Sequence, residues 1–162
     1  MAASDRQPGE CDGSAVGGDR PPHRDGFRLL EHTADMGIEA VAASREALFV
    51  QAARGLLAVL GGGPGPGAVE QVVPMELDCD DLEELLVWWL NEVLHLVQGR
   101  GRWPQAILLE KVEDGSLRGR IAVRGMTDQQ DRPQREVKAV TYHQLCVRRT
   151  RQGWLARVYL DL

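Results

Sequence analysis

His32, Thr33 and Asp35 stand within four residues of one another in the stretch Glu31 to Gly37, read E-H-T-A-D-M-G. A second polar string, Lys138-Ala139-Val140-Thr141-Tyr142-His143, and the closing Leu160-Asp161-Leu162 carry groups of the same kinds. Each interrupts strand-like apolar sequence with side chains that ligate, donate or titrate, for which a purely structural strand has little use. Asp35 and Asp161 have the chemistry of hard-cation ligands: a divalent ion such as calcium is held by several oxygens, and the carboxyl end of Leu162 would add to Asp161's pair. The bland alternative makes Asp35 a turn or cap aspartate and Asp161 a terminal surface charge. Residue types alone leave both open.

Other chemistries lack their parts. There is no G-x-S-x-G elbow, no phosphate loop with Gly-Lys-Ser/Thr, and no H-E-x-x-H. Cys146 and His143 are three apart on an expected strand, so they would point to opposite faces, and Cys146 reads as a buried structural residue. Asp78, Asp80 and Asp81 do not make a calcium loop, because Leu82 and Glu83 occupy positions where that motif needs an acidic residue and a glycine. His95 has no histidine or cysteine at ligand spacing and reads as exposed and inert.

Several elements must position the polar strings. Phe27 to Leu30 and Met36 to Val41 have strand character, with Met36, Ile38 and Ala40 on one side and His32 to Asp35 as connection or bulge. Ser44 caps a helix over Arg45 to Leu60, where Leu48, Ala52, Leu56 and Val59 recur at helical steps. The run Gly61-Gly62-Gly63-Pro64-Gly65-Pro66-Gly67 ends it and reads as a flexible connector. Val69 to Leu77 is a strand that Pro74 pushes toward an edge.

Asp80 then caps a second helix in an Asp80-x-x-Glu83 box, with an apolar stripe from Leu82 through Trp89 to Val97. Ala106 to Val112, Leu117 to Val123, Glu136 to Val147 and Trp154 to Leu160 supply four more strands. Asp114-Gly115 turns the first pair, and Arg148 to Gly153 forms an exposed basic turn in the second. Alternation along the strand from Glu136 would put Lys138 on one face with Val140 and Tyr142. The fold expected is α+β: a two-layer sandwich in which two amphipathic helices cover one side of a mostly antiparallel sheet, the last strands lying next to the first.

Residues 1 to 25 hold almost no large apolar side chain and read as a disordered leader before a single domain at 26 to 162. Three scattered cysteines suggest neither a disulfide framework nor a zinc site, which favours a reducing, cytoplasmic setting. No segment reaches the roughly 20 apolar residues of a membrane span. Charge is uneven: residues 1 to 97 hold 6 basic and 17 acidic side chains (net −11), and residues 98 to 162 hold 13 and 7 (net +6). That basic half permits an anionic partner but equally describes the solvated face of a sheet.

Taken together and in order, E-H-T-A-D-M-G, D-L-E-E-L-L-V-W-W-L-N-E-V-L at 81 to 94, K-A-V-T-Y-H at 138 to 143 and the final L-D-L resemble archease, the small protein partner of RtcB-type RNA ligases. The resemblance spans nearly all of residues 27 to 162. It implies an activator and not a ligase: a protein that promotes guanylylation and repeated turnover of the ligase in tRNA splicing or RNA repair, meeting RNA mainly through that ligase. It also implies that Asp35 and Asp161, with the Leu162 carboxyl end, bind a divalent metal, calcium being the expected ion, and that Lys138 is a functional basic residue near it. His32, Thr33, Thr141 and His143 hold motif positions where a hydrogen bond that shapes the site is at least as plausible as direct chemistry. The competing reading is a metal-stabilised binding module or chaperone-like factor for RNA-processing proteins. Met36, where a branched aliphatic is more usual, and the glycine-proline connector depart from the family pattern without removing a proposed ligand.

Overall fold

The computed structural model of the chain describes residues 24–31 and 34–162. In chain order these form β1 (Gly26–Glu31), β2 (Met36–Ala42), α1 (Arg45–Leu60), β3 (Gln71–Asp78), α2 (Leu82–Leu94), β4 (Arg102–Val112), β5 (Ser116–Gly125), β6 (Ala139–Thr150) and β7 (Gly153–Asp161). The first helix begins where its sequence predicts: Ser44 Oγ accepts the Ala47 N–H at 3.1 Å, satisfying a donor that has no partner inside the helix. Leu48, Ala52, Leu56 and Val59 form its buried stripe.

The second helix starts one residue later than the Asp80-x-x-Glu83 reading. Asp81 is the cap, its Oδ1 accepting from Glu84 N at 2.8 Å, while Glu84 Oε2 accepts from Asp80 N at 3.0 Å. Neighbouring aspartates with glutamates three residues on make the two registers indistinguishable by type. Beyond Leu94 the backbone widens into a π-helical turn, His95–Gly99, which keeps Leu96 and Val97 buried while His95 stays exposed. Trp89, fully buried, donates from Nε1 to the Phe49 carbonyl at 2.9 Å and so ties the two helices together.

The α+β sandwich stands, but its β part comprises two sheets where one was expected. One has the order β1-β2-β7-β6 and the other β3-β5-β4, every pairing being antiparallel. The helices touch both: α1 meets β1, β2 and β7 as well as β4, and α2 meets β6 as well as β3 and β5. Alternation of apolar residues predicts which face of a strand is buried but not which strand it pairs with, so the second sheet is invisible to it. Two expectations about partners do hold. The last strand lies against β2, and Pro74 sits in β3, an edge strand of its sheet.

The connector after α1 is packed at its start, which its reading as flexible did not anticipate, while residues 65–67 are exposed. Gly63 N donates to the Asp131 carbonyl at 3.0 Å, and its φ of 86° with the Trp103 ring against its Cα leaves no room for a side chain. Of the expected leader, residues 1–23 lie outside the described residues, and Asp25 accepts a hydrogen bond from Ala43 N at 2.8 Å. Cys146 is buried, as expected, and disulfide-bonded, which the sequence reading did not foresee. No helix among the described residues is long and apolar enough to cross a membrane.

Candidate functional site

Strand register brings three of the sequence motifs to one end of the four-stranded sheet. Met36 pairs with Leu160 and Ile38 with Val158, so continuing the ladder one step past the strand end sets Asp35 opposite Asp161. On the other side of β7, Ala139 pairs with Asp161, and Lys138 N donates to the Asp161 carbonyl at 2.8 Å. The register is fixed by burial: Ile38, Ala40, Val158 and Leu160 lie in the core, and a slip by one residue would turn them outward. Asp35, Asp161, Lys138 and Leu162 therefore share a neighbourhood, the first three exposed and Leu162 half-buried.

Lys138 precedes β6 by one residue, which corrects the expected strand start at Glu136 and the shared face with Val140 and Tyr142. Val140 is in the core and its N–H donates to Asn91 Oδ1 at 3.3 Å, whereas Lys138 is exposed and Tyr142 is 50% exposed. The cause at Tyr142 is a bulge. Thr141 pairs with Tyr159 and Cys146 with Arg157, so Tyr142 through Leu145 stand opposite Val158 alone, with Gln144 at φ 49°.

Thr141 holds the base of this bulge, donating from Oγ1 to the Tyr159 carbonyl at 3.1 Å and accepting from His143 N at 3.3 Å. The His143 ring meets the Tyr159 ring edge-on, centroids 6.0 Å apart. Gly37 is the counterpart across the ladder, because a Cβ there would come within 2.9 Å of Tyr159 Cε1. Thr141 and His143 thus shape the flank of the sheet end through bonds and packing. His32 and Thr33 lie outside the described residues.

Among the described residues, Asp35, Asp161 and Lys138 form no ion pair. No group of three or more His, Cys, Asp and Glu side chains there could hold a metal ion. Asp35 and Asp161 bring two carboxylates, hard oxygen donors, to this sheet end. A thiol nucleophile is absent from it. Cys79 lies elsewhere, at the end of β3, and burial followed by the Glu84 charge pushes its thiol up, opposite to the shift that activates a cysteine.

Sequence reasoning missed Glu39, Arg135, Gln98 and Asn91. Glu39, 4% exposed, accepts from Arg28 Nη2 and Arg157 Nη2, each at 2.7 Å. Arg135 Nη1 reaches Met36 Sδ at 3.4 Å, next door to Asp35. The Gln98 amide clamps Val137, just before Lys138, donating to its carbonyl at 2.8 Å and accepting its N–H at 2.9 Å. The available signal was a polar residue among apolar helix neighbours: Asn91 after Leu90 and Gln98 after Val97.

Comparison with known proteins gives a consistent result. A family model described as Archease protein family (MTH1598/TM1083) matches residues 27–162. The protein archease of Thermococcus kodakarensis is 32% identical over 141 residues, covering 82% of this chain and 95% of its own. That of Archaeoglobus fulgidus is 29% identical over 136 residues, covering 84% and 98%. Among solved structures, Methanobacterium thermoautotrophicum protein 1598 superposes with a TM-score of 0.65 at 28% identity, covering 85% of this chain and 99% of that one. An archease and possible chaperone from Thermotoga maritima shares the fold, with a TM-score of 0.53 at 23% identity over 83% and 96% of the two chains.

Proposed function

The chain belongs to the archease family, and we propose that it acts as a protein activator of an RtcB-type RNA ligase, promoting guanylylation and repeated turnover of that ligase in tRNA splicing or RNA repair. The supporting observation is the shared sheet end: Asp35 in register with Asp161, and the Lys138 backbone bonded to Asp161. In this reading Asp35, Asp161 and a main-chain oxygen of Leu162 hold a divalent cation, calcium by the hardness of the donors. When bound, that ion supplies positive charge for anionic phosphate chemistry. Lys138, exposed and without an ion pair among the described residues, presents a second point charge to the ligase's nucleotide or phosphate. Thr141 and His143 keep the flank of the site in shape, and His32 and Thr33 belong to the same loop as Asp35. The chain carries no complete catalytic set of its own in this reading and works on another enzyme, in the cytoplasm.

The test is guanylylation of an RtcB-type ligase by GTP with calcium, with and without this protein. Wild-type protein should accelerate nucleotide transfer, Lys138→Ala should abolish the stimulation with melting unchanged, and Lys138→Arg should restore only part. No acceleration by the wild-type protein would sink the activator reading and leave a metal-stabilised binding module for RNA-processing proteins. Full stimulation by Lys138→Ala would remove the lysine from the mechanism.

A further inference from the structure

Beside this sheet end lies a cavity of about 490 Å³ whose lining includes Gln98, Met126, Arg132, Pro133, Arg135 and Glu136. Its volume suits a small ligand. The loop forming one wall is anchored at both ends of its turn: Gln134 N and Arg135 N donate to the Leu60 carbonyl at 2.9 and 3.0 Å, and Gln98 clamps Val137. The wall is therefore held open by bonds to two different helical segments.

Two guanidinium groups, Arg132 and Arg135, line this space. Arg135 has only the Met36 sulfur, a weak acceptor, and Arg132 has no side-chain partner among the described residues. Glu136 shares the lining yet pairs with neither. Elsewhere Arg28, Arg102, Arg118, Arg120 and Arg157 each hold a glutamate. Two planar forks with unused donors in one concavity match an anion that offers several oxygens, and phosphate is the common one.

We propose that this pocket binds a phosphate group carried by a small molecule, with Arg132 and Arg135 as its ligands. Met126 and Pro133 supply apolar wall for the part of the molecule that carries the phosphate. A concavity of about 490 Å³ has room for one small molecule, whereas an RNA backbone is followed along an extended basic groove. Arg135 also sets the location: it touches Met36, which adjoins Asp35, and Lys138 stands three residues further along the same loop. The inference does not depend on the ligase reading, and its test uses the full chain alone.

Calorimetric titration with tripolyphosphate and with GTP, in EDTA and without ligase, should show saturable one-to-one binding of both. Arg132→Gln with Arg135→Gln should weaken it at least tenfold. Arg132→Gln alone, at an exposed position, should weaken it several-fold, and Arg148→Gln with Arg149→Gln at the far end of β6 should leave it unchanged. Tighter binding of GTP than of tripolyphosphate would identify a nucleotide as the ligand class, and equal binding would identify the phosphates alone; both support the site. Three results would overturn it: no binding at millimolar concentration, equal loss in the far-end variant, or binding of single-stranded RNA but of neither small anion.

Discussion

The two sheets treat charge differently. In the three-stranded sheet, charged side chains answer one another across exposed strands: Arg118 with Glu76, Arg120 with Glu110, and Arg102 with Glu70, at 2.9 to 3.1 Å. In the four-stranded sheet the middle holds one buried carboxylate, Glu39, gripped from both sides by Arg28 and Arg157, while Asp35, Asp161 and Lys138 at the end form no ion pair among the described residues. Exposed cross-strand pairs contribute little and ask little of the fold. A buried carboxylate must be matched by its partners, whereas exposed carboxylates at a sheet end are free to take a ligand, the role proposed above for Asp35 and Asp161. The contrast locates function by where charges are left unanswered.

The largest effect should come from the middle of that contrast. Glu39→Ala leaves Arg28 and Arg157 facing each other with no counter-charge, and should destabilise the protein by about 3 kcal/mol, near the low end for a broken buried pair because both arginines keep some access to water. Glu110→Ala in the other sheet should cost less than about 1 kcal/mol. Urea unfolding of both variants measures the difference, and equal losses would erase the distinction between the sheets.

A second comparison sets the sheet end against its own middle. Asp35→Asn with Asp161→Asn should weaken calcium binding at least tenfold, about 1.4 kcal/mol, yet leave calcium-free stability unchanged or slightly raised, because the substitution removes like charge. Calcium should raise the melting temperature of the parent protein and not of the double variant. Parent-like calcium affinity in the double variant would dismiss both aspartates as ligands.

Much of this contrast could be read from sequence, and the reasons are local. Ser44 and the Leu48, Ala52, Leu56 and Val59 stripe locate α1 because capping and helical period act within a few residues. Asp35, Asp161 and Lys138 stood out as polar groups in strand-like surroundings, and register then sets them side by side. What stayed hidden depends on partners distant in the chain. Glu39 drew no notice as a charged residue alternating with Ile38 and Ala40, because its burial comes from Arg28 and from Arg157, 118 positions away. The separate β3-β5-β4 sheet, the packing of Gly61–Gly63 and the Arg132–Arg135 pocket share that dependence, as does the bulge at Tyr142, whose extra residues show only when β7 is laid against β6.

A third, smaller effect concerns the Arg120–Glu110 pair, both half-exposed and 2.9 Å apart. A double-mutant cycle to alanine should give a coupling of about 0.5 kcal/mol that shrinks as salt rises. A coupling equal to that of Glu39 with Arg157 would mean that exposure does not separate the two sheets.

The smallest effect is a pH dependence at the turn of the three-stranded sheet. The hydrogen bond from Lys111, its charge, and then the Ser116 hydroxyl hold the Glu113 carboxyl below the ordinary glutamate value. A carboxyl depressed in the folded state contributes stability that is fully present above its unfolded pKa and is lost as pH falls through its folded one. Glu113 is exposed, so solvent screens most of this. Melting midpoints of the parent and of Glu113→Gln should therefore differ slightly at neutral pH and converge in acid. Convergence belongs to a charge answered only by its neighbours at the surface. A gap that instead widened as pH fell would show that Glu113 stabilises the turn in its protonated form, and that charge pairing does not account for its place in this sheet.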